Sequence, residues 1–239
     1  MTESGEGLAA AFADIARQLQ AEHTPEETQN RVTRAALSTV RGCDHAAISI
    51  LRRRSGVHTV AATDDVATRV DAIQYDTGQG PCLDAIAGHE VYLIDDLLTD
   101  DRWPAFSRRA VEETGVRSML SFRLFVEGDT IGALNMYARQ PSAFDEHGHA
   151  VGAVLAAHAA IALRAARDQQ HVGQLEDALR SNREIGMAMG VLMSQGRVTE
   201  DEAFALLRRA SQFLNVKLRD VAAQVVETGL LPDRRDTSN

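Results

Sequence analysis

From Glu146 to Met193 the apolar positions recur every 3.5 residues, whereas upstream of Pro141 they alternate every second residue in short runs. That change of period divides the chain into a sheet-forming part and a helical part. One seven-residue series runs Val151, His158, Ala165, Val172, Leu179, Gly186, and a second runs Val154, Ile161, Asp168, Leu175, Asn182, Met189. The register holds over six heptads, the pattern of a coiled-coil seam. At 1.5 Å per residue, a single helix here would span roughly 70 Å. The alternative is two helices with a break between Arg167 and Gln174, where Asp168 and Gly173 weaken the seam.

Upstream, residues 1–21 form an N-terminal segment that reads as partly helical. Thr24, Pro25 and Glu27 then open a helix with a cap, a first-turn proline and a capping-box acid. "HAAISIL" and "VHTVAA" read as hairpin strands around "RRRSG", whose Arg52, Arg53 and Arg54 make a charged tip. "GQGPCLDAIAG" is a loop entering a short helix from Pro81 to about Ala87, "EVYLI" a strand and "DDLLTDDRWPAF" a polar loop. "RSMLSFRLFV" and "TIGALNMYA" bracket Glu127-Gly128-Asp129, a hairpin signal. Leu120, Phe122, Leu124 and Val126 share one face of the first of these strands.

Downstream, Thr199 and Glu202 make a capping box, and Ala203, Leu207, Ala210 and Leu214 form one apolar stripe. Asn215 is placed to cap a last helix whose Leu218, Val221, Ala222 and Val225 face inward. Gly229 and Pro232 end it. Residues 230–239 read as a disordered tail.

Composition narrows the classes. The chain has 239 residues with 44% hydrophobic content, enough for one large or two small cores. No apolar run approaches 18 residues, and the start lacks a signal-peptide pattern. Cys43 and Cys82 form no CxxC or Cys/His metal pattern. The expectation is a cytoplasmic protein without a disulfide, a metal or a membrane. Net charge is −9, unevenly spread: residues 1–170 hold 16 Lys+Arg against 24 Asp+Glu, residues 171–239 hold 9 against 10. The acidic part is poorly suited to nucleic acid, whereas the near-neutral tail suits it if its arginines cluster. The sole lysine, Lys217, lies in that tail.

Residues 22–166 resemble a GAF domain. The resemblance rests on "GQGPCLDAIAGHEVYLIDDLLTDDRWPAF" followed by "GVRSMLSFRLFVEGDTIGALNMYARQPSAF". It implies an α+β domain, an antiparallel sheet flanked by helices, with a small-molecule pocket on one face. Such domains bind cyclic nucleotides, haem, bilins or metabolites. No haem-ligand or bilin-attachment context stands out, so the cofactor is unknown and the sequence requires none. Gly80 and Cys82 are the candidate ligand contacts. Cys82 at a helix N-terminus is either a thiol activated by the dipole or a small buried hydrophobe. His147 and His149 are either a metal pair or solvated. No Walker, Gly-x-Ser-x-Gly, HExxH or kinase signature is present, and "TGQGPC" lacks the dehydrogenase fingerprint; the expectation is no enzyme.

Residues 171–229 resemble an ANTAR domain, on "LEDALRSNREIGMAMGVLM" followed by "VTEDEAFALLRRASQFLNVKLRDVA". That family is a three-helix RNA-binding unit on a coiled-coil dimer, acting in bacterial transcription antitermination by gripping hairpin loops of nascent leader RNA. The family often has Ala-Lys-Gly where this chain has Ala188-Met189-Gly190. The candidate RNA contacts are Arg183, Gly186, Ala188, Gly190, Arg208, Arg209, Ser211, Asn215, Lys217 and Arg219. Gly186 and Gly190 lie one turn apart inside a helix, where each costs about 1 kcal/mol relative to alanine. Either they admit another helix closely, or they leave a notch beside Arg183 for an RNA backbone. Lys217 and Arg219 sit at a helix start, where the macrodipole disfavours cations and a bound polyanion would justify them. The expected protein is a homodimeric regulator: a GAF sensor (22–166), a dimerisation helix (146–193) and an ANTAR unit (171–229). The rival is a signalling module whose helical tail docks a protein instead of RNA.

Overall fold

The structure, a computed structural model, describes residues 13, 15–17, 24–52, 55–88 and 91–232. Most of the segment 1–21, two of the three hairpin-tip arginines (Arg53 and Arg54) and the tail from residue 233 lie outside the described residues. The chain forms two compact units, up to Gln170 and from His171 onward.

The first unit is a five-stranded antiparallel sheet in the order β2-β1-β5-β4-β3. Its strands are β1 (His45–Arg52), β2 (Gly56–Ala62), β3 (Val91–Ile94), β4 (Ser118–Val126) and β5 (Asp129–Ala138). Glu127 and Gly128 both take positive φ, 52° and 84°, so a two-residue turn joins β4 to β5. Leu120, Phe122 and Leu124 point to one face, as the alternation requires, and Val126 packs partly against the same cluster.

That face is covered by α1 (Pro25–Thr39) and by the start of a long helix, α5 (Glu146–Gly196). Thr24 caps α1, its hydroxyl accepting from the Glu27 amide at 3.2 Å. A Cβ on Gly152 would lie 2.7 Å from the Phe122 ring, so the glycine lets α5 press onto the sheet. The opposite face carries α2 (Asp65–Thr77), α3 (Pro81–Gly88) and α4 (Pro104–Thr114) around Ile73, Ile94, Trp103, Phe106, Met119 and Tyr137. The region read as one polar loop before β4 therefore contains α4. Pro104 in its first turn and Gly115, at φ 73° beyond its last, are the local reasons it starts and stops there.

Helix α5 has no break between Arg167 and Gln174. Its heptad pattern has two uses. Val151 is buried against the sheet with Leu155, Ala159 and Leu163, and Val154 packs partly there. From Ile161 onward the seam is free: Ile161, Val172, Leu175, Leu179 and Met193 are all exposed. The helix also holds a window apolar enough, by length and composition, to cross a membrane, but 44% of it is buried inside the protein, as in a core helix.

In the second unit, the end of α5 packs with α6 (Glu200–Leu214) and α7 (Leu218–Thr228) around Ala188, Leu192, Ala203, Leu207, Val221, Ala222 and Val225. The Thr199–Glu202 capping box is complete. Asn215 differs from the expectation. It ends α6 in the left-handed conformation at φ 55°, and Lys217 takes the N-cap position of α7 without a side-chain capping bond. Asparagine tolerates that conformation because its short polar side chain bonds locally, which suits it to a helix end.

Candidate ligand and nucleic-acid sites

Between the sheet and α2 lies a buried polar cluster that the hydrophobic pattern did not announce. Asp71, from the inner face of α2, is fully buried. Its carboxylate accepts from Thr59 Oγ1 at 2.7 Å, Ser49 Oγ at 3.1 Å, Asn135 Nδ2 at 3.2 Å and Gln74 Nε2 at 3.3 Å. The Tyr137 hydroxyl also donates to it. Tyr75 donates to Ser49 at 2.8 Å and shares a hydrogen with Thr59 at 2.9 Å, while Ser121 donates to Asn135 at 2.7 Å. Burial pushes the Asp71 carboxyl above the usual carboxylate range, against the opposing pull of its donors.

Gly80 and Cys82 stand beside this cluster. Gly80 has φ 143°, and a Cβ there would fall 2.3 Å from Gln74 Oε1. That same oxygen accepts from the Cys82 amide at 2.9 Å. Gly80 is thus fixed by the loop's contact with Gln74. Cys82 is fully buried, and burial, reinforced by the nearby Asp71 charge, pushes its thiol up to about 12. Desolvation outweighs any helix-dipole effect, so of the two readings the buried small hydrophobe is the one the geometry shows. His149 lies 5.6 Å from the Phe122 ring. Among the described residues no group of three or more His, Cys, Asp or Glu side chains is arranged to hold a metal.

In the second unit the ten candidate residues separate. Ala188 is fully buried in the three-helix core, so it is a packing residue rather than a surface contact. Ser211 donates from its hydroxyl to the Val216 carbonyl at 2.7 Å, and the Val216 amide returns a bond to the Ser211 carbonyl at 3.1 Å. With Asn215 it builds the α6–α7 turn. Arg208, Arg209, Lys217 and Arg219 are exposed on either side of that turn. Only Arg219 has a carboxylate near it, Asp220 at 3.4 Å, among the described residues. Phe213, in the last turn of α6, is 65% exposed; the sequence did not separate it from Phe204, which also lies outside the apolar stripe of that helix.

Gly186 and Gly190 leave a notch, as one of the two expectations had it, rather than a helix contact. A Cβ on either would meet nothing within 4 Å, so no helix among the described residues packs closely on them. They open a groove of about 470 Å³. Its other walls are Asn182, Ile185, Met189, Met193, Phe204 and two carboxylates, Glu200 and Asp201. The notch is apolar and acidic, because the start of α6 returns against α5 there. Arg183 is exposed but does not line it.

The family model of the GAF domain matches residues 22–164, and that of the ANTAR domain matches residues 173–226. Among solved structures, the chain is similar to the GAF domain of a phosphoenolpyruvate-protein phosphotransferase from Coxiella burnetii. There the TM-score is 0.56 at 16% identity, over 71% of this chain and 99% of that one. The GAF domain of the Acinetobacter phosphoenolpyruvate-protein phosphotransferase gives 0.54 at 12%, over 69% and 97%. The Stigmatella aurantiaca phytochrome photosensory core module gives 0.57 at 13%, over 90% of this chain and 46% of that one. At such identities the likeness is one of fold. No curated protein matches the chain.

Proposed function

The chain belongs to the GAF domain family and carries an ANTAR domain behind it, and from that premise we propose a ligand-responsive antitermination regulator that grips hairpin-loop RNA as a homodimer. An ANTAR domain implies RNA-binding antitermination regulation and a GAF domain implies a sensor; both are regulatory, non-catalytic modules. The observation that carries the finer reading is the α6–α7 turn. Four exposed cations, three of them without a carboxylate partner among the described residues, surround it beside an exposed aromatic ring. Arginine and lysine there meet phosphates, and Phe213 offers a stacking surface for an unpaired loop base. Glu200 and Asp201 make the glycine groove unsuited to phosphate, so the RNA face is assigned to the turn.

The homodimer reading rests on α5. Of its six exposed large apolar residues, Ile161, Val172, Leu175, Leu179 and Met193 fall on the two seven-residue series or their continuation, and Met187 does not. A second copy of the helix would bury that stripe. Two RNA units then double the contacts available to a domain whose net charge is only −1. The experiment is sequencing of RNA that co-purifies with the whole protein. Enrichment of leader segments with hairpin loops is expected. Recovery of no RNA above background, with a protein partner retained instead, would overturn the reading in favour of a protein-docking tail.

A further inference from the structure

Helix α5 changes character along its length. Up to Ala166 it keeps a buried side, with Leu155, Ala159, Leu163 and Ala166 all buried. From Ile185 it packs again, with Ala188 and Leu192 in the three-helix core. Between these parts every residue from Arg167 to Arg180 is exposed, fourteen in succession, so no side of the helix there rests on another described element. The boundary of the two compact units, Gln170 to His171, falls inside this stretch. At 1.5 Å per residue it amounts to about 21 Å of helix.

Local interactions alone hold this stretch poorly. Asp168, His171, Val172, Gly173 and Asp177 are weak helix formers, and glycine is the weakest apart from proline. Packing does not require Gly173: a Cβ there would meet nothing within 4 Å. It belongs to neither seven-residue series, so a paired seam would not need it either. Among the described residues the ion pairs of the stretch join Asp168 to Arg164 at 3.0 Å and Arg180 to Asp177. Exposed pairs of this kind contribute little. A helix of such length without a buried face is marginal in water, and one exposed all round needs many ion pairs or a partner. Val172, Leu175 and Leu179 lie on the two seven-residue series and are exposed, which is the spacing a second copy of the same helix covers.

We propose that residues 167–180 are helical only while a second copy of the chain pairs with them, a helix–coil switch on the stretch that joins the two units. Pairing buries Val172, Leu175 and Leu179 and supplies the stabilisation that the local sequence lacks. When pairing is lost the stretch melts, while each unit keeps its own core. A change that favours or opposes pairing at the sheet-bound start of α5 then decides whether two RNA-binding units are held together. The switch rests on the homodimer reading of α5 and adds to it that order in this stretch depends on the partner.

The test is amide hydrogen exchange of the whole protein, without RNA, in the wild type and in Ile161→Asp/Leu175→Asp, with each mass read by light scattering in the same buffer. Both replaced side chains are exposed, so the variant should keep its two cores. Dilution of the wild type until its mass halves makes the same comparison without a substitution. In the dimer the amides of 167–180 should exchange more slowly than in the monomer by about tenfold or more, while those of β4 and β5 exchange alike in both. Adding Gly173→Ala to the double variant should restore part of the protection at unchanged mass. The proposal is overturned if the stretch exchanges equally in dimer and monomer, or if the sheet loses protection with it in both comparisons. A monomeric wild type, or a double variant that stays dimeric, would overturn the homodimer reading and the switch together. Equal exchange in a confirmed dimer and its monomer would overturn the switch alone. Because no RNA is present, every one of these outcomes leaves the RNA reading standing.

Discussion

Replacing Asp71 by Ala should destabilise the first unit severely, and the hydrogen-bond network shows by how much. Five donors converge on that carboxylate. Two of them have another acceptor: Thr59 lies 2.9 Å from the Tyr75 hydroxyl, and Asn135 also donates to Ser49 at 3.1 Å. Ser49, which accepts from Tyr75 and Asn135, Tyr137 and the Gln74 amide have no second acceptor among the described hydrogen bonds. A buried donor left unpaired costs about 1–3 kcal/mol, so the three together cost about 3–9 kcal/mol. Asp71→Asn keeps the volume but must turn an NH2 toward one of the donors, for a loss of about 1–3 kcal/mol. Urea unfolding followed by Trp103 emission reads this directly, since Trp103 is the only tryptophan and is buried in the same unit. The pH dependence gives an independent check. Burial raises the folded-state pKa of Asp71, so the folded protein holds its proton more tightly than the unfolded chain. The contribution is fully present below the unfolded value and falls as pH climbs above it. Relative to Asp71→Asn, the wild type should therefore lose stability as pH rises above about 4, the ordinary carboxylate range. An Asp71→Ala variant within 1 kcal/mol of wild type by the same unfolding measurement would refute this account of the cluster.

Three further outcomes follow from particular side chains. Cys82, fully buried with its thiol pushed up to about 12, should resist a thiol reagent at pH 8 until the protein unfolds; rapid labelling of the native state would contradict this. Cys82→Ala should lower thermal stability modestly and leave RNA affinity intact, whereas an oxidant-sensitive affinity abolished by the same change would favour a redox role. Ile161→Asp with Leu175→Asp places charges in the exposed seam of α5, so light scattering should show the proposed dimer halved in mass; a mass unchanged by the double substitution, or a monomeric wild type, would remove the seam as the interface. Gly190→Ala should stabilise the helix by about 1 kcal/mol, because the new Cβ meets nothing within 4 Å among the described residues, and should leave RNA binding unchanged. Weaker RNA binding by that folded variant would return the groove to the RNA face.

Much of the fold was legible because its elements are announced locally. Thr24, Pro25 and the Thr199–Glu202 box mark helix starts by satisfying free amides, and Glu127-Gly128 marks a turn by tolerating positive φ. Helix α2 was not legible, for a physical reason. Its buried face mixes Ala67, Val70 and Ile73 with Asp71 and Gln74, so the apolar stripe that reveals an amphipathic helix is interrupted by buried polar groups. The same interruption hid the polar cluster. The glycine notch shows the limit of reading one helix at a time. A helical wheel places Arg183 on the notch's flank, but only tertiary packing brings Glu200 and Asp201 across from α6.

The central claim, that exposed cations around the α6–α7 turn grip RNA, is tested most directly by the salt dependence of binding. The full chain and its Arg208→Ala, Arg209→Ala, Lys217→Ala and Arg219→Ala variants would be titrated with one structured hairpin RNA from the co-purified set, across a range of salt concentrations. Each residue that meets a phosphate should lower the slope of log affinity against log salt by about one when replaced. Phe213→Ala should weaken binding without changing that slope, because stacking displaces no counterion. Slopes identical to wild type in all four charge variants, with affinity undiminished, would contradict the claim.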